Sequence, residues 1–343
     1  MKGLTLDPRN FAPEVALGHI LAHDVEIGGR ARLRKGHIIT DADLATLREA
    51  DNSQLHLVAL EEGEIPEADA ARRLASAVVG AQVRIEGPVE GRYNLVATVR
   101  GLLRLDSAAL QALNELDEVS IFTRYDGQTV EPGDTLAGVK VTPLVAREEN
   151  IRVAESLARG SAGVVRVLAF RPLSVGLVIR EDLRERERER VVQRLREKIA
   201  WFSGDLADVA QVPDDAAAVG AAFARQQQAG AELILATGGN ALDPLDAMLG
   251  GLDQVDARME AFGAPAHPGS LFWLAYAGAT PIFGVGSCGM FSKATAVDLL
   301  LPSVFAGEHL DRRQIAALWQ GGLLNREMAF KFPAYDGAKR AAE

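Results

Sequence analysis

From residue 173 onward, short apolar runs alternate with amphipathic stretches. Residues 173–180, 206–210 and 232–236 are apolar runs of strand length, and each reads as a buried strand. Between the first two, Val192, Leu195, Ile199 and Phe202 recur at helical spacing. The charged run from Arg184 to Arg190 ahead of them alternates in sign. On a helix its residues three apart would attract and its residues four apart would repel, so part of the gain cancels. A loop that becomes helical by Val191 is expected there. Pro213, Asp214 and Asp215 cap a further helix that reaches Gln228, with Gly230 at its end. Residues 257–262, 271–276 and 281–285 add extended segments, and a last helix falls near 311–319. This alternation predicts an α/β domain, a mostly parallel sheet with helices on both faces.

The first half of the chain is patterned differently. Residues 18–27 and 55–60 read as strands, and 33–39, around Lys35-Gly36, as a hairpin or turn into another strand, with a helix started by Thr40 or Asp41 after it. Residues 65–79 form a helix with Ala71, Leu74, Ala75 and Val78 on one face. Residues 81–145 hold short strands broken by turns, a helix capped by Asp106, and a type II turn at Glu131-Pro132-Gly133-Asp134. Smaller β-rich α+β modules therefore precede the α/β domain. The expected boundaries are 1–64, 65–170, 171–306 and a C-terminal extension at 307–343.

Two loops interrupt the apolar pattern with chemistry. Thr237-Gly238-Gly239-Asn240 follows the 232–236 strand at once. Asp243-Pro244 then reads as a cap and first helical residue, with Asp246 in the first turn. Strand, glycine turn and helix start point backbone N–H groups at a ligand above the strand end, which suits a phosphate or another anion. Gly284-Val285-Gly286-Ser287-Cys288-Gly289 is a second glycine loop, and Ser292-Lys293 opens a helix after it. In open parallel sheets ligands bind outside the carboxyl ends of the strands, so two such loops can hold two ends of one anionic molecule. A plain strand-to-helix connection uses glycine pairs as well.

Composition narrows the classes. A net charge of -10 over 343 residues argues against general nucleic-acid binding. Cys288 is the only cysteine, which excludes an internal disulfide framework and suits a reducing cytoplasm. The first residues lack a signal-peptide pattern, and no apolar run has the length of a bilayer span. A cytoplasmic protein with no membrane association is expected. The histidines lack zinc-site spacing, and neither a Walker loop nor the three-glycine dinucleotide fingerprint is present.

Thr237-Gly238-Gly239 with Asp246 downstream resembles the loop of the molybdopterin-binding domains, gephyrin-type and molybdopterin molybdotransferase proteins of molybdenum-cofactor biosynthesis. Pro268-Gly269-Ser270 resembles that family's Pro-Gly turn, and Gly284-Val285-Gly286-Ser287 stands where it has a Gly-Leu-Pro-Gly loop. The order and separation of these motifs carry the resemblance, which is clearest from about Arg171 onward. It extends to molybdopterin-binding proteins fused to, or partnered with, a molybdenum-cofactor nucleotidyltransferase. The resemblance implies a three-layer molybdopterin-binding domain. It implies that Thr237, Gly238, Gly239, Asn240, Pro268, Gly269, Ser270, Gly284, Gly286, Ser287, Cys288 and Lys293 hold molybdopterin or the molybdenum cofactor. Asp246 would be the catalytic and metal-binding residue, on Mg²⁺. Asn94 is either a ligand contact by the same likeness or a turn asparagine, and Lys35-Gly36-His37 is either a phosphate contact or a solvated hairpin. Catalytic members carry an aspartate and a small polar residue after the first strand of this domain. Here Glu181, Asp182 and arginines replace them, which weighs against catalysis more than against binding.

The leading expectation is a binder of molybdopterin, or of its molybdenum-bearing or nucleotide-linked form, in cofactor biosynthesis or delivery. It would hand the pterin to a nucleotidyltransferase or a molybdenum enzyme, and a homo-oligomer is compatible with this. One alternative is an active molybdate-inserting transferase. Another is a hydrolase built on Cys288 with His267.

Overall fold

The strand Leu233–Thr237 is buried along its whole length, as a strand covered on both faces must be. It is central to one of two compact units. The first unit comprises Met1–Val99, Leu103–Asp126 and Val130–Leu168; the second comprises Arg100–Leu102, Gly127–Thr129 and Ala169–Glu343. The computed structural model describes residues 2–180, 183–239, 241–286 and 294–335.

In the first unit, β1 (Lys2–Leu6), β2 (Ile20–Leu21) and β3 (Leu55–Ala59) form an antiparallel sheet in the order β1-β3-β2. Thr40 closes a capping box with Asp43 ahead of the short helix Leu44–Arg48. Helix α1 (Glu67–Val78) buries Ala70, Ala71, Leu74, Ala75 and Val78. Strands β4 (Val83–Val89) and β5 (Arg92–Ala97) follow, then α2 (Ser107–Asn114), capped by the Asp106 carboxylate, which accepts from Ala109 N–H at 2.9 Å. Strands β6 (Val119–Thr123) and β7 (Thr135–Val141) complete a four-stranded antiparallel sheet in the order β6-β7-β5-β4. Helix α3 (Glu148–Arg159) and α1 share one core with Leu95, Ala97, Ile121 and Val139 on a single face of that sheet.

The second unit is α/β. Its elements are β8 (Ser174–Ile179), α4 (Glu185–Trp201), β9 (Asp205–Gln211), α5 (Ala216–Gln228), β10 (Leu233–Thr237), α6 (Ala247–Asp253), β11 (Arg258–Phe262), β12 (Trp273–Ala277), β13 (Thr280–Val285), α7 (Ala296–Phe305) and α8 (Arg312–Ala316). The six strands lie in the order β9-β8-β10-β13-β12-β11. Strands β9, β8, β10 and β13 are parallel, while at one side β12 pairs antiparallel with both β13 and β11. Alternating strand residues feed two cores. Leu233, Leu235 and Ile179 pack with Val191, Leu195, Ile199 and Leu300 on one face. Val178, Ile234 and Ala236 pack with Val219, Phe223, Met248 and Leu252 on the other. Helices therefore cover both faces of a mostly parallel sheet, in three layers.

Two local expectations are corrected. The charged run is helical from Glu185 rather than from Val191. Arg188 pairs with Glu185 at 2.6 Å, and Glu187 reaches back to the Arg184 N–H at 3.3 Å. Like charges four apart cost a few tenths of a kcal/mol, whereas burying Val191, Leu195 and Ile199 contributes about 2 kcal/mol each, so packing decides. The helix after the glycine turn begins at Ala247, not at Pro244. Asp243 instead folds its carboxylate onto Leu245 N–H at 2.9 Å, a local turn, and Asp246 is the cap. Helix α7 begins at Ala296 behind Thr295, whose N–H donates to Asp298 at 2.8 Å; the helix start expected at Ser292-Lys293 lies outside the described residues.

Candidate functional site

Strands β8, β10 and β13 end together. Ile179 is in register with Thr237, and Thr237 with Val285. The chain segments after these three residues therefore leave the sheet at one edge. The turn after β10 is set by Gly238, whose φ of +91° favours glycine. Gly239 is confined as well: a Cβ there would lie 3.1 Å from Asp246 Oδ1 and 3.1 Å from Met248 Cγ. Gly286, after β13, has nothing within 4 Å of a built Cβ among the described residues.

Alternation decides which side chains meet at this edge. Val178 faces the α5–α6 side of the sheet and Ile179 the other, so the next residue, Arg180, returns to the α5–α6 side. Its guanidinium lies 3.2 Å from Asp246 Oδ2 and 2.6 Å from Asp214 Oδ1, and it donates to the Gly238 carbonyl. The Arg180 backbone N–H donates to Thr237 O at 3.0 Å. Asp246 is itself the N-cap of α6 and accepts from Met248 N–H at 2.9 Å. Its side chain is 4% exposed. One guanidinium thus ties β8, the glycine turn, the approach to α5 and the cap of α6 together. Two carboxylates share one cation, so the three side chains carry a net negative charge. Thr237 Oγ1 and Arg180 Nε are buried and have no partner among the described residues. Buried polar atoms of that kind call for a partner that the chain itself does not supply.

Thr237, Gly238, Gly239 and Asp246 are thus brought together, with Gly286 one residue beyond the adjoining strand end. Pro268 and Gly269 meet a different neighbour: Ala296 N–H donates to Pro268 O at 3.0 Å, and a Cβ on Gly269 would lie 2.8 Å from Ala296 N. Ser270 O accepts from Ala264 N–H at 3.1 Å, closing the Pro-Gly turn. Gly284 has a packing reason of its own, since the Trp273 indole lies where its Cβ would be. His267 takes part through its backbone, donating to Gly322 O at 2.7 Å. Asn240, Ser287, Cys288, Lys293, Glu181 and Asp182 lie outside the described residues.

In the first unit, Lys35 N–H donates to Asp24 at 2.8 Å, and His37 Nε2 pairs with Asp43 at 2.8 Å. Asn94 Oδ1 is buried without a partner among the described residues. No three His, Cys, Asp or Glu side chains among the described residues gather in a way that could hold a metal ion. No described helix is long and apolar enough to cross a membrane.

Arg180 and Asp214 do not stand out in the sequence. The first is the last residue of a strand pattern and the second part of a helix-capping phrase. A cation closing an apolar strand ahead of an acidic turn is the only local signal.

A family model described as a domain of unknown function (DUF8806) matches residues 11–55. No curated protein matches the chain. Among solved structures the chain is similar to the molybdopterin biosynthesis MoeA protein from Pyrococcus horikosii, at 12% identity and a TM-score of 0.31, over 71% of this chain and 79% of that one. It is also similar to a Corynebacterium diphtheriae protein provisionally assigned to molybdenum cofactor biosynthesis, at 16% identity and a TM-score of 0.30, over 41% of this chain and 100% of that one.

Proposed function

We propose that the chain binds molybdopterin, or its molybdenum-bearing or nucleotide-linked form, in molybdenum-cofactor biosynthesis or delivery. The observation that carries this reading is the shared edge where β8, β10 and β13 end, with the Thr237-Gly238-Gly239 turn at its centre and Thr237 Oγ1 buried and unmatched among the described residues. Such an edge is where open parallel sheets take ligands. The ligand class rests on the sequence resemblance of the Thr237-Gly238-Gly239 loop with Asp246.

Among the described residues, the donor set at Asp246 does not fit a magnesium ion. Magnesium requires oxygen ligands in near-octahedral geometry, and the Asp246 carboxylate already faces a guanidinium and the cap of α6. A divalent ion there would be repelled by Arg180. The reading is therefore of a protein that holds the pterin and passes it to a nucleotidyltransferase or a molybdenum enzyme, rather than one that inserts molybdate through Asp246.

Mass spectrometry of the small molecules that copurify with the chain from a host making molybdenum cofactor tests this. A pterin carrying the dithiolene group is expected. Pterin-free protein from a host shown to contain the cofactor would count against the reading.

A further inference from the structure

The four-stranded sheet of the first unit has one face in the core and one face outside it, and the outer face carries polar groups without an internal use. Arg92 on β5 stands directly opposite Lys140 on β7, and Asn94 directly opposite Gly138. Like charges facing each other across a ladder destabilise the pair. Neither cation has an ion-pair partner among the described residues. Arg92 Nε and Asn94 Oδ1 are both buried and unmatched among them.

The neighbouring carboxylates do not neutralise the pair. Glu86, opposite Asn94 on β4, is held by Arg84 at 2.9 Å. Glu67, at the start of α1, feels the charges of Lys35 and Lys140 but shares no ion pair with either among the described residues. The face also has an apolar platform. Phe122 on β6 lies across Gly138, where a side chain would collide with its ring, and Phe122 is 49% exposed. The stem of Arg92 borders the same spot, its Cδ lying 3.1 Å from a built Gly138 Cβ.

We propose that this face is a second binding site, for a phosphate monoester carried on a planar ring. The phosphate lies between Arg92 and Lys140 and turns their repulsion into a shared attraction. Side chains directly opposite on a ladder are roughly 5 Å apart at Cβ, a gap that one phosphate spans. Arg92 meets it with a guanidinium fork, which matches phosphate geometry, and Lys140 with a point charge. The ring stacks on Phe122, and the Asn94 amide meets a polar group at its edge. The site lies wholly within the first unit and does not depend on the pterin reading.

Calorimetric titration of the full chain with phenyl phosphate, inorganic phosphate and phenol tests the assignment. Phenyl phosphate is expected to bind best, inorganic phosphate more weakly, and phenol weakest. Lys140→Gln lowers phenyl phosphate affinity at least about tenfold, the scale of one charge-assisted hydrogen bond. Phe122→Leu weakens phenyl phosphate but leaves inorganic phosphate unchanged. Arg92→Gln behaves like Lys140→Gln. Because the Arg92 stem is packed, Lys140→Gln is the deciding variant, and without ligand it should melt no lower than the parent. No binding of either phosphate to the folded chain at millimolar concentration would overturn the proposal. So would affinity untouched by Lys140→Gln, phenol binding as tightly as phenyl phosphate, or phosphate binding lost through Gly238→Ala in the second unit instead.

Discussion

Arg180 Nη2 lies 3.2 Å from the buried carboxylate of Asp246, at the edge where three parallel strands end. The contact gives the glycine turn its anchor, because the same guanidinium also pairs with Asp214 and donates to the Gly238 carbonyl. Removing Arg180 leaves Asp246 buried beside a carbonyl and a carboxylate. Arg180→Met is therefore expected to destabilise the second unit by about 3 kcal/mol, the cost of stranding one member of a buried pair. Asp246→Asn keeps the cap of α6, since asparagine caps as well as aspartate, and leaves Arg180 on Asp214. Its cost should be about 1 kcal/mol. Urea denaturation of the two variants checks the order, and a larger loss for Asp246→Asn would show that the Asp246 charge contributes more to this edge than the Arg180 guanidinium does.

The two glycine loops should respond differently to alanine. Gly238 sits at a φ of +91°, so Gly238→Ala strains the backbone and costs about 1 kcal/mol or more. A Cβ on Gly286 meets open space among the described residues. Gly286→Ala should thus change stability by less than about 0.5 kcal/mol while still lowering affinity for the pterin. Equal stability losses in thermal melts would mean that both loops are held by packing alone.

A buried network should behave as a unit. Lys198 Nζ lies 2.8 Å from Asp298 Oδ1, and Tyr335 donates to the same oxygen at 2.9 Å. Desolvation and the adjacent carboxylate hold the Tyr335 phenol well above its ordinary pKa. Lys198→Met removes the only cation paired with Asp298 among the described residues and should cost about 3–5 kcal/mol. Tyr335→Phe removes one neutral donor and should cost about 1 kcal/mol. In the double variant Lys198→Met with Asp298→Asn, much of the first loss should return, read from denaturation midpoints.

Glu67 supplies a pH dependence. Burial raises its pKa above the ordinary 4.5, against the pull of Lys35 and Lys140. Folding then favours the protonated acid. Its stabilising contribution is complete below the unfolded value and disappears as pH rises through the folded value. Glu67→Gln should consequently raise stability at pH 7 relative to the parent and flatten the profile above pH ~4.5. A parallel pair of stability curves from pH 4 to pH 7 would show that Glu67 does not titrate differently in the fold.

The layered fold is legible in the sequence because its local signals agree. Asp215 accepts from Ala218 N–H, Gly230 stands at φ +86°, and the apolar runs are the strands. The start of α6 is not legible in the same way. Asp243-Pro244 carries a better cap signature than Asp246, and only the pairing with Arg180 and the packing of Met248 select the later start. At the candidate site the glycine turn and Asp246 can be read from the chain, but the function of Asp246 cannot. Its partner comes from another strand, and no spacing rule joins Arg180 to Asp214 and Asp246. The glycines at 269 and 284 show the converse: motif-like in sequence, they answer to Ala296 and Trp273 in the fold.

The central claim is that the edge above β10 holds a pterin without a divalent ion at Asp246. Calorimetric titration of the full chain with molybdopterin, with and without magnesium, tests it most directly. The account predicts binding of equal strength in both conditions, weakened by Gly286→Ala. Binding or molybdate insertion that requires magnesium and disappears in Asp246→Asn would contradict it, as would a folded chain that does not bind the pterin at all.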